Sequence, residues 1–341
     1  MLFFCSPIGL GHITRDIAIV KNLNIDNESL KFVTGYNAYI FVTKNGFKAL
    51  NVYHPPAFNI ENGILTNSST WIIKYFLYYK ESKDVARNLI IKDKDKILIS
   101  DEDFASIAVA EETKRKRILI TDILNTKFTS GLFSIVEKQM NKKLRTMINR
   151  CDCVIIPDFG KDVDNIRFVG PIVRTINDNR ENLRKRFNFD KKTILVCIGG
   201  TGYGKFLIEK VIESFVRIKK RMDVDLVIVS GPSLTIKDSN DFRILNFVPN
   251  LNEYIYACDL VISLAGKSTI DESIVYNTPG IFIPLKNHFE QEQGAKKLGF
   301  KFDDIFKLDE LIQEKISSNN RMKKIRENGA QKAAKIIQEL L

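Results

Sequence analysis

No stretch of this chain reaches the roughly 18 uncharged apolar residues that a membrane-spanning helix needs. The opening residues, Met1-Leu2-Phe3-Phe4-Cys5 running into Ser6-Pro7, lack a basic n-region and are too short an apolar run for a signal peptide. Cysteine is scarce and odd in number: Cys5, Cys151, Cys153, Cys197 and Cys258. Each lies in or beside an apolar, strand-like run, where a small buried thiol fits, and none forms C-x-x-C. A disulfide framework and a zinc site are therefore unsupported, and a cytoplasmic location is expected. Low-complexity segments, short-period repeats, a helix-turn-helix signature, an RNP-like aromatic strand and zinc-finger spacing are also missing.

What is present is ordinary globular composition: 341 residues, 44% hydrophobic and 27% charged, with a net charge of +11. The length predicts two domains. Basic excess often marks nucleic-acid binding, but here it is spread evenly. Residues 1–170 hold 24 Lys and Arg against 19 Asp and Glu, and residues 171–341 hold 28 against 22. With no concentrated patch, nucleic acid is not an expected partner; an anionic membrane surface or an acidic substrate stays open. Local clusters stand at Lys114–Arg117 and Lys138–Arg150; the second has helical spacing and reads as a solvated helix face in preference to a docking patch.

The two halves follow one plan. Leu2–Cys5, Leu30–Thr34, Ile97–Ser100, Arg117–Thr121 and Cys153–Pro157 are short apolar runs separated by helical stretches, the first of these helices over Thr14–Leu23. The second half repeats the pattern with Thr193–Ile198, a helix over Phe206–Lys220, then Asp225–Ser230, Arg243–Phe247, Asp259–Ser263 and Gly280–Pro284. Apolar strands without polar alternation, separated by helices, predict parallel sheets covered on both faces. The expected fold class is α/β, with two facing Rossmann-like doubly wound domains. Expected boundaries are 1–170 and 171–320, with a basic amphipathic helix over 321–341 packing back toward the first domain.

Three loops at strand ends carry unusual chemistry. Ser6-Pro7-Ile8-Gly9-Leu10-Gly11-His12 joins a strand to a helix. It lacks the third glycine of a dinucleotide fingerprint, where Thr14 stands, and the second strand ends in Thr34 with no acid. What remains is a glycine turn with an imidazole at a helix start, where the dipole favours the neutral base; a packed or capping histidine is the alternative. Gly199-Gly200-Thr201-Gly202-Tyr203-Gly204 lacks the Lys-Ser/Thr of a Walker loop, yet its glycines before a helix suit an anion. Ala265-Gly266-Lys267-Ser268-Thr269 is a third such turn, followed one turn on by Glu272, whose carboxylate can accept from a ribose diol. Glu290 and Gln291 add polar groups of the kind that read sugar hydroxyls.

In order and spacing, Asp259-Leu-Val-Ile-Ser-Leu-Ala-Gly266-Lys-Ser-Thr269-Ile-Asp-Glu272, with Pro279, Pro284 and Glu290-Gln291, resembles the donor half of GT-B glycosyltransferases of family 28. That family includes the undecaprenyl-diphospho-muramoylpentapeptide N-acetylglucosaminyltransferases. Gly9-Leu-Gly11-His12 is similar to its first glycine loop, and Gly170-Pro-Ile-Val-Arg174 to its interdomain segment. Residues 50–160 match in pattern only. The resemblance implies an inverting transferase moving a sugar, GlcNAc foremost, from a UDP donor to a glycan or polyprenyl-diphosphate-linked acceptor. It implies no cofactor and no metal. His12 would be the base, and Asp101, at a strand end, would orient it. The donor would be held by Gly11, Arg174, Gly200, Thr201, Val248, Gly266, Ser268, Thr269, Glu272, Glu290 and Gln291. The implied location is cytoplasmic, free or peripheral on the membrane face.

Some positions depart from the family pattern. Leu264 stands where plant-type members carry a histidine, and Gly294 where an asparagine is usual. Asp162-Val-Asp164 and Asp223-Val-Asp225 resemble metal-binding pairs but read as surface acids. The aromatic run Thr70–Lys80 reads as a core helix or as an apolar patch for a membrane or isoprenoid chain. An epimerase or hydrolase of the same architecture, or a non-catalytic donor-binding subunit, are the competing readings.

Overall fold

The computed structural model describes residues 1–129, 131, 133–237, 239–318 and 327–341. The chain divides into two compact units. Unit 1 comprises Met1–Asn59, Asn67–Val173 and Glu327–Leu341; unit 2 comprises Ile60–Thr66 and Arg174–Arg326.

Unit 1 is built on β1 (Leu2–Cys5), α1 (Gly11–Val20), β2 (Lys31–Thr34), α2 (Tyr36–Lys44) and β3 (Lys48–Asn51). The chain then makes a hairpin, β4 (Asn59–Glu61) and β5 (Ile64–Thr66), before the long α3 (Ser68–Lys92). There follow β6 (Ile97–Asp101), α4 (Phe104–Glu112), β7 (Lys116–Ile120), α5 (Phe133–Asn149), β8 (Cys153–Ile156) and β9 (Ile166–Phe168). The strands form a parallel sheet in the order β3-β2-β1-β6-β7-β8-β9. Phe3, Phe4, Val33, Ile99, Leu119 and Val154 are buried, as expected of strands covered on both faces. In α1, Ile13, Ile17 and Val20 recur at helical spacing and are buried, each contributing about 1.5–3 kcal/mol.

Unit 2 runs through α6 (Arg180–Phe187), β10 (Lys192–Cys197), α7 (Lys205–Ile218), β11 (Val224–Val229), β12 (Arg243–Leu245), α8 (Leu251–Ala257), β13 (Leu260–Leu264), α9 (Lys267–Val275), β14 (Gly280–Ile283), α10 (Phe289–Lys297) and α11 (Leu308–Ser317). Its sheet is also parallel, ordered β12-β11-β10-β13-β14. Asp259 ties the start of this sheet together, accepting from Arg180 at 2.7 Å, Arg184 at 2.8 Å and the Thr193 N–H at 2.8 Å.

Several expected bounds differ. The first helix begins at Gly11 rather than Thr14, because the chain is already helical after Leu10, and Thr14 Oγ1 turns back to the Gly11 carbonyl. Residues Ile60–Thr66 of the hairpin belong to unit 2, where the Leu65 N–H donates to the Lys286 carbonyl at 2.9 Å. Of the helix expected over 321–341, residues 321–326 lie outside the described residues; the observed α12 is Gly329–Leu340. It packs on α1 within unit 1. Asn328 starts it, its amide donating to the Val173 carbonyl and its Oδ1 accepting from the Ala330 N–H, both at 2.9 Å.

Both sheets have a point where successive crossovers leave in opposite directions: between β1 and β6 in unit 1, and between β10 and β13 in unit 2. Crevices at the carboxyl ends of such strand pairs are where open α/β sheets bind ligands.

Candidate active site

In unit 1 the switch point brings Cys5 opposite Asp101, and the Ser6 N–H donates to the Asp101 carbonyl at 2.9 Å. Beyond Ser6 the chain turns at Gly9, whose φ of +74° favours glycine. His12 then stands on the first turn of α1, with its Nδ1 at 3.0 Å from Asp101 Oδ1. A proton on Nδ1 is donated to that carboxylate, and Nε2 is the ring nitrogen that faces away from Asp101, toward Glu102.

Arg15, one turn further along α1, grips both oxygens of Asp101, Nε on Oδ2 and Nη2 on Oδ1, and reaches Asp122 Oδ2 with Nη1 at 2.9 Å. Arg15 Nη2 is also 3.1 Å from His12 Nδ1, a close approach of two donors that Asp101 holds together. Glu102 follows Asp101 with φ of +51°. Its Oε1 accepts from Thr121 Oγ1 and from the Asp122 N–H, each at 3.0 Å, and its Oε2 stands 3.6 Å from His12 Nε2.

The electrostatics correct one expectation. A helix N-terminus disfavours imidazolium, and burial also lowers the His12 pKa. Asp101, then Glu102 and the bond to Asp101, outweigh both and raise it from 6.5 to about 9. His12 is thus a charged imidazolium at neutral pH and a base only once that proton has left. Burial works against Asp101 ionising, but Arg15 and His12 hold its carboxyl well below the usual range. Behind it, burial and then the Asp101 charge push the Asp16 carboxyl well above the usual range.

His12, Asp101 and Glu102 also offer one ligand atom each within 4.8 Å of one another. The guanidinium of Arg15 already occupies both oxygens of Asp101, so an ion there would face a fixed positive charge.

In unit 2 the loop after β10 contains Gly199 (φ +75°), Gly200 and Thr201, and Ser233 Oγ donates to the Gly200 carbonyl at 3.0 Å. Gly231 must be glycine: its φ is +72°, and a Cβ would lie 2.3 Å from the Gly199 carbonyl oxygen. Across the switch point, Gly266 precedes α9, with Ser268 and Thr269 in the first turn of a helix that has no side-chain cap, the kind of end that suits an anion. Lys267 there pairs with Asp271 at 2.8 Å.

Glu272 is buried in α9. Its Oε1 accepts from Arg174 Nε at 3.1 Å and Nη2 at 3.0 Å, while Arg174 Nη1 donates to the Pro249 carbonyl at 2.7 Å. Burial raises the Glu272 pKa and Arg174 opposes that rise. Arg174, implied as a diphosphate ligand, is here spent on positioning Glu272 and the segment next to Val248. Gln291 Oε1 accepts from the Leu285 N–H at 3.0 Å, fixing the turn between β14 and α10; Glu290 lies in the first turn of α10. The Asp-x-Asp acids serve local contacts, Asp162 accepting from the Phe168 N–H and Asp223 from Lys191.

Arg15, Glu102 and Ser233 were not singled out by the sequence reading. A signal existed for one: Arg15 lies at i+3 from His12, on the same helix face.

Residues 193–340 match the glycosyltransferase family 28 C-terminal domain. An uncharacterised glycosyltransferase of Methanopyrus kandleri is 28% identical over 228 residues, 62% of this chain and 63% of that protein. The chain thus spans a little under two thirds of that relative. The UDP-N-acetylglucosamine--N-acetylmuramyl-(pentapeptide) pyrophosphoryl-undecaprenol N-acetylglucosamine transferase of Thermosipho africanus is 31% identical over 154 residues, 43% of this chain and 44% of that one. Among solved structures, the glycotransferase of kitacinnamycin superposes with a TM-score of 0.68 at 14% identity, covering 100% of this chain and 98% of its own. The chain has the GT-B fold, and its residues 193–340 are similar to the family 28 C-terminal domain.

Proposed function

We propose that this enzyme moves a sugar, GlcNAc foremost, from a UDP donor onto a hydroxyl of a glycan or polyprenyl-diphosphate-linked acceptor, with inversion and without a metal. The observation that carries the reading is Glu272. Arg174 occupies Oε1, which leaves the other oxygen of a buried carboxylate to accept from a ribose diol, beside two helix N-termini suited to a diphosphate. The GlcNAc assignment draws on the name of the Thermosipho relative, which is similar over under half of either chain.

In this reading His12 Nε2, once deprotonated, takes the proton of the acceptor hydroxyl. The acceptor oxygen bonds to the anomeric carbon as the bond from that carbon to the donor phosphate oxygen breaks. The electron pair leaves on the nucleoside diphosphate, whose charge the glycine loop and α9 stabilise. The Arg15 clamp on Asp101 fits a metal-free site. On α3, Ile73, Phe76 and Leu77 are exposed, with Lys80 over the Phe76 ring at 4.6 Å. That face suits a peripheral membrane position or an isoprenoid chain. No helix among the described residues is long and apolar enough to cross a membrane.

The test is transfer from labelled UDP-sugars by the pure protein to a lipid extract. Labelled lipid-linked product supports the proposal. Free or epimerised sugar formed equally without an acceptor replaces it with a hydrolase or epimerase.

A further inference from the structure

Glu102 has two oxygens in different circumstances. Oε1 is fixed by Thr121 and the Asp122 N–H, at the end of the neighbouring strand β7. That anchoring turns Oε2 toward His12 Nε2, at 3.6 Å, although the side chain is only 6% exposed. Nδ1 being spent on Asp101, Nε2 is the side from which an acceptor hydroxyl must come.

Resting on the transferase reading above, we infer that Glu102 is a second catalytic residue whose Oε2 accepts a hydrogen bond from the hydroxyl adjacent to the one His12 deprotonates, so the acceptor's reacting end is a vicinal diol on a sugar ring. A 3.6 Å separation lets two neighbouring hydroxyls each reach one acceptor at about 2.7–2.8 Å. The surrounding charge agrees. Beside His12 stand Arg15 from α1 and Asp101 and Glu102 at the end of β6, with Asp122 beyond β7 paired to Arg15. Arg15 is already held by Asp101 and Asp122 and is not turned to a phosphate, so an uncharged polyol fits here. Glu102 also stabilises the imidazolium that forms as the proton arrives, the bond changes being those given above.

The decisive variant is Glu102→Gln. Its amide oxygen still accepts from Thr121 and the Asp122 N–H, so a merely structural role survives, while an NH₂ replaces Oε2. A urea midpoint close to wild type checks that the fold is kept. The first readout is the NMR titration of the His12 ring without substrate. Glu102→Gln should let it lose its proton at a pH lower by about 1 or more; an unmoved titration overturns the inference. The second is binding of methyl N-acetyl-β-glucosaminide, followed on the same ring signals. The glycoside should bind, its 3-deoxy and 4-deoxy analogues should bind about tenfold more weakly, and Glu102→Gln should lose both affinity and discrimination. No perturbation by the glycoside, or equal discrimination in the variant, overturns the diol assignment. Neither readout needs a donor, so a failure of sugar transfer counts against the transferase reading alone.

Discussion

Arg15 holds Asp101 by both carboxylate oxygens, though 86 residues separate them in the chain. The pair joins α1 to the end of β6 and fixes the orientation of the ring between them. Breaking such a buried pair from one side costs about 3–5 kcal/mol, because the remaining charge is stranded. Arg15→Met should lower the urea midpoint accordingly and abolish transfer. Arg15→Lys should recover part of the stability but little of the turnover, since an ammonium cannot make the two-pronged grip.

His12→Ala should lower turnover by about 10²–10⁴. UDP affinity, measured by calorimetry, should stay at the wild-type value, because His12 belongs to unit 1 and the nucleotide is assigned to unit 2. An undiminished rate would remove His12 as the base.

Transfer should be alkaline-dependent. With the His12 pKa raised to about 9, log kcat/KM should climb with a slope approaching 1 from pH 7 and level off near pH 9. The same proton is linked to folding. Its pKa lies above the ordinary 6.5, so its contribution to stability is complete below 6.5 and is lost as pH rises through 9. Asp101 acts in the opposite sense: its stabilisation is present above the usual carboxylate pKa and is lost as pH falls toward its depressed value. Urea midpoints of wild type and His12→Ala should therefore differ more at pH 6 than at pH 10.

Glu272→Ala should weaken UDP about tenfold or more through loss of the ribose contact, and would leave Arg174 buried without its carboxylate. Arg174→Met should weaken UDP by less and lower the urea midpoint more. Calorimetry with UDP and with uracil separates a ribose effect from a general loss of the site.

Gly231→Ala tests the glycine loop without touching any polar group. A Cβ at φ +72°, 2.3 Å from the Gly199 carbonyl oxygen, should cost about 1–3 kcal/mol of strain or push the loop aside. UDP affinity should drop with it. Unaltered affinity would show that the loop after β10 does not meet the nucleotide.

Central strands were legible in the sequence because burial on both faces writes a continuous apolar run, as in Leu195-Val196-Cys197 or Val261-Ile262. Edge strands were not. β3 (Lys48-Ala-Leu-Asn51) and β9 (Ile166-Arg-Phe168) are short and partly exposed, and nothing in them repeats. The hairpin at Asn59–Thr66 carried a readable Asn62-Gly63 turn, but its partner, Lys286, lies over 200 residues away. For the site, the glycine turns and Glu272 showed as local patterns. Arg15 did not, because an arginine inside a helix reads as solvent-facing until a distant carboxylate buries it. The His12 protonation state was misread for a related reason: the helix start is local, whereas the acids that override it come from β6.

α12 packs on α1 through Ala330, Ala333, Ala334 and Ile337, and Gly329 sits so close that a Cβ would fall 2.4 Å from the Gly170 carbonyl. Every residue of unit 2 after Arg174 precedes this helix in the chain. During synthesis, the unit that carries His12 therefore begins to emerge first and is completed last. A nascent chain stalled within unit 2 exposes the back of α1, and a chaperone that shields that surface has the whole of unit 2's translation time in which to act.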